Sequence, residues 1–479
     1  MNEVLSLTGA ELIVALLERL GVTTVAGIPG GAVLPLYDAL ARSGRIRHVL
    51  ARHEQGAGFI AQGMARASGR PGVCIASSGP GATNLLTAIA DARLDSIPLV
   101  AITGQVPQAL IGTDAFQEVD TFGMSVPVVK HNYLVTSAAD LMRIVPEAFA
   151  LASTGRPGPV LIDVPKDVQN ERVTVTRWPE LAPARAPAHA ADEAIARAAA
   201  MIASAERPIL YLGGGIVHSG AAAAARAVAE RASLPTVMTL MGLGVVPTDH
   251  ELSLGMLGMH AAPYTNLALD ECDLLIGVGA RFDDRATGKL AEFCPRAAVI
   301  HIDVDAAELH KLRRAELAIR ADARAALESL LPRLEPRPRA AWLARIAELK
   351  ARHPLATPGH DSVRNPYGFI RAVAGALDDE AIVTTDVGQH QMWVAQALPL
   401  RRARQWLTSG GLGTMGFGLP AAIGAALAEP TRKVVCFSGD GSILMNLQEL
   451  GTLAEEDLDV KIVLLDNRSL GLVHQQQTL

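Results

Sequence analysis

The chain of 479 residues carries 43 lysines and arginines against 49 aspartates and glutamates, a formal net charge of −6 at pH 7. Because no basic excess is available to neutralise phosphates, we expect no nucleic-acid partner. Charged residues make up 19% of the chain and the mean hydropathy is +0.25, which excludes a disordered protein. A chain of this length is expected to form about three domains.

Helix and strand signals alternate through residues 1–177. Thr8 followed by Glu11 predicts a capped helix start, and Gly21 predicts the end of that helix. Short apolar runs predict strands at residues 22–28, 48–51, 73–77, 98–103 and 160–164. Strands that alternate with helices predict a parallel, doubly wound sheet.

Two further α/β domains are predicted after a linker rich in Pro and Ala at residues 178–191. The second domain, residues 190–335, has predicted strands at 209–212, 236–240, 274–278 and 298–302. The third, residues 360–479, has predicted strands at 381–384, 433–437 and 460–465. The predicted fold class is α/β, with three doubly wound parallel-sheet domains.

The sequence also predicts where the protein resides. The N-terminal segment carries Glu3 and Glu11 and lacks a basic region, which argues against a signal peptide. Residues 405–428 are uncharged but are interrupted by glycines and Pro420, so they predict a buried glycine-rich turn before a helix and not a membrane span. The four cysteines show neither zinc nor disulfide spacing. We therefore expect a cytoplasmic protein with no membrane partner.

The sharpest local motif is Gly439-Asp440-Gly441-Ser442, which ends one predicted strand, together with Asp466-Asn467, which ends the next. The carboxyl ends of parallel strands meet at one edge of a sheet, where α/β proteins bind ligands. A carboxylate, an amide oxygen and backbone carbonyls suit Mg²⁺, and glycines let phosphate oxygens approach the backbone. The motif therefore predicts a magnesium–diphosphate site.

This motif resembles the signature of the thiamin diphosphate-dependent enzymes, although Asp466 stands where that signature has an asparagine. Longer segments resemble acetohydroxyacid (acetolactate) synthase large subunits, among them PGGAVLPLYDAL, RHEQGAGFIAQGMARASG, IGTDAFQEVD, ARFDDRATGKL and LGTMGFGLPAAIGA. The chain looks like their bacterial isozyme-I type. The resemblance covers nearly the whole chain and implies pyrimidine and diphosphate domains on either side of a Rossmann-like middle domain.

The resemblance implies roles at both ends of thiamin diphosphate. Glu54, at a helix start, would hydrogen-bond N1′ of the aminopyrimidine. Asp440, Asn467 and the backbone carbonyl of Ser469 would bind Mg²⁺, and Met415 would support the thiazolium ring from below. The other residues placed at this cofactor are Pro29, Gly30, Val387, Gly388, Gln389, His390, Gly413, Thr414, Gly439, Gly441, Ser442, Gly471 and Leu472.

The resemblance also implies a set of catalytic residues close to the reacting atoms. They are Glu54, Gln117, Lys166, Met415 and Gly31. Ala32, Phe116 and Gln476 are expected to line the substrate. Lys166 follows a predicted strand, and the surrounding DVPKD segment favours a site role over an ordinary exposed lysine.

In the middle domain the resemblance implies FAD, although the reaction is not a net redox step. Gly213, Gly214 and Gly215 follow a predicted strand, as a dinucleotide phosphate loop does, but a simple tight turn is equally compatible with them. The remaining residues implied at FAD are Thr239, Leu240, Met241, Leu257, Gly258, Met259, His260, Gly279, Arg281, Asp283, Arg285 and Asp303.

The implied activity is that of an acetolactate synthase. Pyruvate would be decarboxylated on thiamin diphosphate, and the hydroxyethyl unit would be transferred to pyruvate or 2-oxobutyrate, the first common step of branched-chain amino acid biosynthesis. Two alternatives stay open: another thiamin diphosphate-dependent decarboxylase, oxidase or carboligase, and a catalytically silent subunit. Glu54 counts against glyoxylate carboligase, which lacks this glutamate, and oxygen uptake would identify a pyruvate oxidase.

The resemblance carries three further expectations. Many such synthases have Trp where this chain has Gln476, so we expect a weaker preference for 2-oxobutyrate and low sensitivity to inhibitors that stack on that Trp. A homodimer or homotetramer with active sites at the subunit interface is implied, and a small regulatory subunit is left open. Family members continue past the position of Leu479, so the third domain is expected to be truncated.

Overall fold

The computed structural model describes residues 4–180 and 188–478. Its contacts divide the described residues into two compact units. Unit 1 comprises residues 4–180, 383–388 and 407–478, and unit 2 comprises residues 188–382 and 389–406. Of the predicted linker at 178–191, residues 181–187 lie outside the described residues. The three-domain boundaries stay a prediction.

The first part of unit 1 is built on a six-stranded parallel sheet in the order β3-β2-β4-β5-β7-β6, and β1 pairs with β8 in an antiparallel ribbon. The strands are β1 Leu5–Thr8, β2 Thr24–Gly27, β3 Arg47–Leu50, β4 Gly72–Ala76, β5 Leu99–Gln105, β6 His131–Leu134, β7 Pro159–Pro165 and β8 Arg172–Val175. The helices are α1 Gly9–Arg19, α2 Leu34–Ser43, α3 Glu54–Ser68, α4 Pro80–Leu94, α5 Thr121–Ser125, α6 Leu141–Ser153 and α7 Lys166–Asn170.

Helices cover both faces of this sheet, which is why its central strands are buried along their whole length. Ile75 and Ile102 point to a core shared with α1, α2 and α6, whereas Cys74 and Ala101 point to a core shared with α3 and α4. The predicted start of α1 is confirmed, because the Thr8 and Glu11 side chains each accept the other's backbone N–H.

Unit 2 is built on a second six-stranded parallel sheet, in the order β11-β10-β9-β12-β13-β14. The strands are β9 Pro208–Leu212, β10 Thr236–Met238, β11 Ser253–Met256, β12 Leu274–Val278, β13 Ala298–Asp303 and β14 Leu317–Arg320. The helices are α8 Asp192–Ser204, α9 Gly214–Ser219, α10 Ala222–Arg231, α11 Pro263–Glu271, α12 Asp284–Thr287, α13 Ala323–Leu330, α14 Ala340–Arg352, α15 Pro366–Gly375 and α16 Gln389–Ala397.

The strand order of unit 2 reverses direction between β9 and β12. This is the order of dinucleotide-binding sheets, in which the ligand crevice opens at the carboxyl ends of the two strands on either side of the reversal. The observed topology therefore agrees with the Rossmann-like middle domain that the sequence predicts.

A four-stranded sheet in the order β16-β15-β17-β18 forms the last part of the chain. The strands are β15 Ile382–Thr385, β16 Trp406–Leu407, β17 Val434–Gly439 and β18 Val460–Leu465. The helices are α17 Gly418–Ala428, α18 Asp440–Ile443, α19 Glu449–Glu455 and α20 Gly471–Thr478.

The uncharged stretch at residues 405–428 forms β16, a glycine-rich turn and α17, and α17 is buried over most of its length. Phe417 at the start of α17 makes an edge-to-face ring contact with Phe59 of α3. The predicted glycine-rich turn before a buried helix is observed, but the turn itself is not buried, because Gly411, Leu412 and Gly413 are exposed. None of the helices within residues 4–180 and 188–478 is both long and apolar enough to cross a membrane.

Candidate active site

Glu54 occupies the first position of α3, and hydrogen bonds hold both its side chain and the backbone of the two residues before it. Nδ2 of Asn84, on α4, donates a 2.9 Å hydrogen bond to Oε2 of Glu54. The two preceding residues, Arg52 and His53, donate their backbone N–H groups to Oε1 of Glu449 at 3.0 and 3.1 Å. Glu449 is fully buried, and burial raises the pKa of its carboxyl. Neither Asn84 nor Glu449 is predicted by a local motif.

The turns that follow β2 and β4 lie against each other at the same edge of the sheet. A β-carbon on Gly30 would lie 2.5 Å from Cβ of Ser77, and the N–H of Ala32 donates to Oγ of Ser77 at 3.4 Å. The carbonyl of Ala32 accepts a 2.8 Å hydrogen bond from the Gln169 side chain, one helical turn after Lys166 on α7. Gly30, Ala32 and Lys166, predicted separately, thus lie on neighbouring elements.

Gln117 is packed on the start of α4. Its backbone φ is +60°, and that of Gly79 is +57°. A β-carbon on Gly79 would lie 2.9 Å from Cα of Gln117, so only glycine permits this approach. Because α4 also carries Asn84, one helix contacts both Gln117 and Glu54.

The loop before Gln117 is organised by Glu118. Its carboxylate accepts the backbone N–H groups of Gly112, Thr113 and Ala115, and these bonds, led by that from Gly112, lower its pKa. Phe116 projects from this loop and is 87% exposed. The loop therefore presents a large apolar ring to its surroundings beside Gln117.

A buried carboxyl group, absent from the sequence predictions, lies beneath this loop. Asp163 near the end of β7 accepts hydrogen bonds from Thr103 Oγ1 at 2.7 Å and from Gln105 Nε2 at 3.1 Å. The same Gln105 amide donates to the carbonyl of Val119 at 2.9 Å. Burial raises the pKa of Asp163 to about 7 even though the two hydrogen bonds lower it.

A second group of predicted residues lies at the carboxyl edge of the four-stranded sheet. Gly439 of β17 is paired with Leu465 of β18. Asp440 and Asp466, the next residue on each strand, therefore leave the sheet at the same edge. A β-carbon on Gly441 would lie 3.9 Å from Cε of Met415.

Two contacts connect other members of this second group. A β-carbon on Gly441 would also lie 2.7 Å from Cδ2 of Leu470, in the turn before Gly471 and Leu472. A β-carbon on Gly413 would lie 4.0 Å from Cγ1 of Val387, which follows β15 with Gly388.

Asp386 holds the glycine-rich turn on which Met415 lies, and no local motif predicts it. The carboxylate accepts N–H groups from Val387 at 2.8 Å, Gly416 at 2.7 Å and Gly418 at 3.3 Å. It is fully buried, and burial raises its pKa to about 6 against the lowering effect of these bonds. Met415 is therefore attached to a backbone that is fixed on its C-terminal side.

The three predicted metal ligands lie at the ends of β17 and β18. Asp440 is half-buried at the start of α18, while Asn467 and Ser469 lie in the exposed turn after β18. Oδ1 of Asn467 accepts the N–H of Ser469 at 3.1 Å. A carboxylate, an amide oxygen and a carbonyl at one sheet edge fit Mg²⁺. The part of the chain that the structure describes holds no group of three or more His, Cys, Asp or Glu side chains suited to a metal.

The residues predicted to bind FAD all lie at the carboxyl ends of five neighbouring strands of unit 2. They are Gly213, Gly214 and Gly215 after β9, Thr239, Leu240 and Met241 after β10, Leu257, Gly258, Met259 and His260 after β11, Gly279, Arg281, Asp283 and Arg285 after β12, and Asp303 at the end of β13.

The glycine loops that follow β9 and β12 meet where the strand order reverses. A β-carbon on Gly213 would lie 2.1 Å from the carbonyl oxygen of Gly279, and one on Gly279 would lie 2.7 Å from Cα of Gly215. Gly279 also has a φ of +58°. This contact requires glycine in both loops and opens the backbone to a ligand at the crevice.

One buried polar atom fits a ligand in this crevice. Within the described residues, Oγ1 of Thr239 is buried and has no hydrogen-bond partner. Such a buried polar atom destabilises the fold unless a bound group supplies the hydrogen bond. Burial and the charge of Arg285 lower the pKa of His260. The side chain of Met259 is 59% exposed. The residues present therefore fit a dinucleotide cofactor.

Three further predicted residues lie on two helices, α16 and α20. Gln389 and His390 open α16, whose residues group with unit 2, and His390 is buried. Gln476 lies on α20 and is exposed, so its place beside the substrate stays a prediction.

Comparisons with known proteins identify the family of the chain. The chain matches the models for the N-terminal TPP binding domain, the central domain and the C-terminal TPP binding domain of thiamine pyrophosphate enzymes, over residues 7–124, 195–330 and 386–479. It is 61% identical to the acetolactate synthase isozyme 1 large subunit of Escherichia coli K12, over 98% of this chain and 84% of that protein. The chain belongs to the acetolactate synthase family of thiamine pyrophosphate enzymes.

The family extends beyond that relative. The chain is 50% identical to the isozyme 2 large subunit of the same bacterium, over 99% of this chain and 85% of that protein. It is 49% identical to chloroplastic acetolactate synthase 1 of Nicotiana tabacum, over 98% of this chain and 71% of that protein. The α/β fold class and the assignment to thiamin diphosphate-dependent enzymes are confirmed, and the family does not favour the alternatives of another enzyme class or a silent subunit.

Proposed function

We propose that the chain catalyses acetolactate synthesis, in which one pyruvate is decarboxylated and its two-carbon unit is joined to a second 2-oxoacid. With pyruvate as acceptor the product is 2-acetolactate, and with 2-oxobutyrate it is 2-aceto-2-hydroxybutyrate. The observation that carries the proposal is the immobilised Glu54, which lies in the segment that matches an N-terminal TPP binding domain.

Bound thiamin diphosphate would supply the electron sink for the loss of CO₂. Glu54 would hold and release a proton at its carboxylate, facing N1′ of the aminopyrimidine. The bond from Asn84 occupies Oε2, which leaves Oε1 to face the cofactor. Fixing the backbone of His53 through Glu449 orients Glu54 before the cofactor binds.

The substrate approach would be formed by Gly31, Ala32, Phe116, Gln117 and Lys166. The ammonium group of Lys166 offers a positive charge to a 2-oxoacid carboxylate, and the Gln117 amide offers a hydrogen bond to its oxygens. The exposed ring of Phe116 would exclude water from one side of this approach.

The second group of residues would hold the other end of the cofactor. Asp440, Asn467 and the carbonyl of Ser469 would bind a Mg²⁺ that joins the chain to the diphosphate. Met415, on its fixed turn, would support the thiazolium ring from below. Thr239 and the loops of Gly213 and Gly279 would bind FAD in the crevice of unit 2.

We further propose a homodimer or homotetramer in the cytoplasm, with active sites completed between subunits, and we leave open a small regulatory subunit. Two observations support an oligomer. One is the resemblance, and the other is a set of large apolar side chains that are exposed near the substrate approach and near the proposed magnesium site. Phe116 is 87% exposed, Leu444 64%, Met445 52% and Leu470 51%. These side chains are available for contact with a second subunit.

Acetolactate formation from pyruvate by the purified chain tests the proposal, with thiamin diphosphate, Mg²⁺ and FAD each omitted in turn. Activity that requires thiamin diphosphate is expected, and Glu54→Gln should lower it by at least about 100-fold. Glu147→Gln, the same exchange on the surface of α6, should leave it unchanged. Pyruvate consumption coupled to oxygen uptake without acetolactate would contradict the proposal.

A further inference from the structure

A cluster of charged residues that the mechanism above does not use surrounds the glycine-rich turn before Met415. Asp91 and Asp95 lie at the end of α4, and both are buried, at 0% and 5% exposure. The two oxygens of Asp95 accept the backbone N–H groups of Gly410 at 3.0 Å and Gly411 at 2.7 Å.

Asp91 reaches the same turn through a serine. Its Oδ1 accepts the hydroxyl of Ser409 and, at 3.3 Å, the hydroxyl of Thr414. Oγ of Ser409 in turn accepts the backbone N–H of Thr414 at 2.9 Å. Three backbone N–H groups of the turn are thus directed, directly or through Ser409, to two carboxylates on one helix.

Arg66 of α3 forms ion pairs with both acids. Its Nη2 lies 3.1 Å from Oδ2 of Asp91 and 2.9 Å from Oδ2 of Asp95, and its Nη1 donates to the carbonyl of Thr408 at 3.0 Å. The guanidinium also lies 4.8 Å from the centre of the Phe417 ring. Burial and the neighbouring Asp95 raise the pKa of Asp91.

A buried ion cluster is weak evidence for a role in stability alone, because well-packed apolar side chains of the same volume often give the folded protein equal stability. Here the polar groups end on residues 408–414, immediately before Met415, while Asp386 holds Gly416 and Gly418 on the other side. The turn is fixed from both sides although it consists largely of glycine, which otherwise has the greatest backbone freedom.

We propose that Asp91, Asp95 and Arg66 are positioning residues that set the backbone of residues 409–414 in the conformation that receives thiamin diphosphate. This inference rests on the proposed function, since Gly413, Thr414 and Met415 are the residues proposed at that cofactor. It assigns to the end of α4 a role in cofactor affinity, distinct from the contact that its start makes with Glu54 through Asn84.

Ser409→Ala tests the proposal, because it removes the hydroxyl that joins Asp91 to the backbone N–H of Thr414 and leaves every charge in place. The matched control is Ser68→Ala in the same unit, where a serine hydroxyl likewise accepts a backbone N–H but donates to the carbonyl of Met64 instead of to a carboxylate. Amide hydrogen exchange of residues 409–414 is measured in the chain without cofactor. Thiamin diphosphate binding is measured by equilibrium titration, and kcat at saturating cofactor.

We expect exchange in residues 409–414 and the thiamin diphosphate Kd each to rise about tenfold in Ser409→Ala, with kcat at saturation within about twofold of the native chain. Thr414→Val should give a smaller rise, and Ser68→Ala none. Unchanged exchange, or faster exchange with an unchanged Kd, would overturn the proposal, as would a lower melting temperature alone. If the native chain bound no thiamin diphosphate, the proposed function would fail, whereas the exchange measurement would still report whether the cluster sets the turn.

Discussion

The side-chain amide of Asn84 donates a 2.9 Å hydrogen bond to Oε2 of Glu54. This bond engages one oxygen of the Glu54 carboxylate and restricts rotation of that carboxylate. Asn84 lies in the second turn of α4, whose first residues pack against Gln117 and whose last hold residues 409–414. This helix therefore contacts three groups of residues that are proposed to lie at active sites.

Replacing Asn84 by leucine should impair catalysis more than cofactor binding. Leucine has a similar volume but no donor, so Glu54 would keep its backbone position and lose the restraint on its carboxylate. We expect kcat for acetolactate formation to fall about tenfold, with a smaller change in thiamin diphosphate Kd. Thr83→Ala on the same helix is the control, since its hydroxyl bonds to Pro80 of its own helix. Native kcat in Asn84→Leu would show that the bond has no catalytic role.

The pH dependence of stability should show the contribution of Asp163. Burial raises the pKa of Asp163 to about 7, above the value of about 3.9 in an unfolded chain. Between these values the folded chain holds a proton that the unfolded chain releases. The contribution of Asp163 to the free energy of unfolding therefore decreases as pH rises from about 4 to about 7, and is constant above.

Asp163→Asn removes that titration. Denaturant unfolding at pH 5, 6, 7 and 8 should show the native chain losing stability relative to this variant as pH rises, with the difference levelling above pH 7. Asp38→Asn, at an exposed salt bridge on α2, is the control and should give curves parallel to the native ones. Parallel curves for Asp163→Asn would contradict the assignment.

The contact between glycine loops in unit 2 should be necessary for flavin binding. Gly279→Ala would place a β-carbon 2.7 Å from Cα of Gly215, and its φ of +58° adds backbone strain of about 1–3 kcal/mol. We expect loss of bound FAD, measured by flavin absorbance after gel filtration.

Gly220→Ala is the control that distinguishes backbone strain from a steric clash of the new β-carbon. Gly220 has a φ of +68°, but no atom lies within 4 Å of a β-carbon built there. This variant should lose some stability and keep its FAD. Equal flavin content in Gly279→Ala and Gly220→Ala would refute a role for the contact.

The residues that could be predicted from sequence are those that follow strands directly. Asp440, Gly213 and Lys166 stand beside apolar runs, so a parallel sheet places them at a ligand-binding edge by topology alone. Some strands were not predicted from the sequence. Among them, β6 and β14 include polar or charged residues and are four residues long. Apolar runs of that length give too little signal to distinguish them from loops.

The residues that hold the site could not be predicted for a different reason. Asn84 bonds to a residue 30 positions away, and Glu449 bonds to one 397 positions away. A carboxylate or amide within a helix carries no local sign of a distant partner, and the ordinary expectation for a polar helical residue is solvent. Asp91, Asp386 and Asp163 are buried acids whose partners are backbone N–H groups and side chains brought close only by folding.

Gln476 should set the choice of acceptor. It lies on the exposed surface of α20, where many synthases are expected to have Trp. An indole wall would favour the acceptor with one more methylene through apolar contact, an effect worth about 1–3 kcal/mol at most. We therefore expect the native chain to show a weak preference for 2-oxobutyrate when both acceptors compete, and Gln476→Trp to raise that preference several-fold. Product ratios from mixtures of pyruvate and 2-oxobutyrate measure it.

Gln475→Trp provides the matched comparison, because it adds the same ring to the neighbouring position of the same exposed helix. It should leave the product ratio unchanged, whereas Gln476→Trp should also increase sensitivity to inhibitors that stack on an indole. A strong preference for 2-oxobutyrate in the native chain would show that another residue supplies the apolar wall. The same product ratio in both variants would show that Gln476 does not face the acceptor.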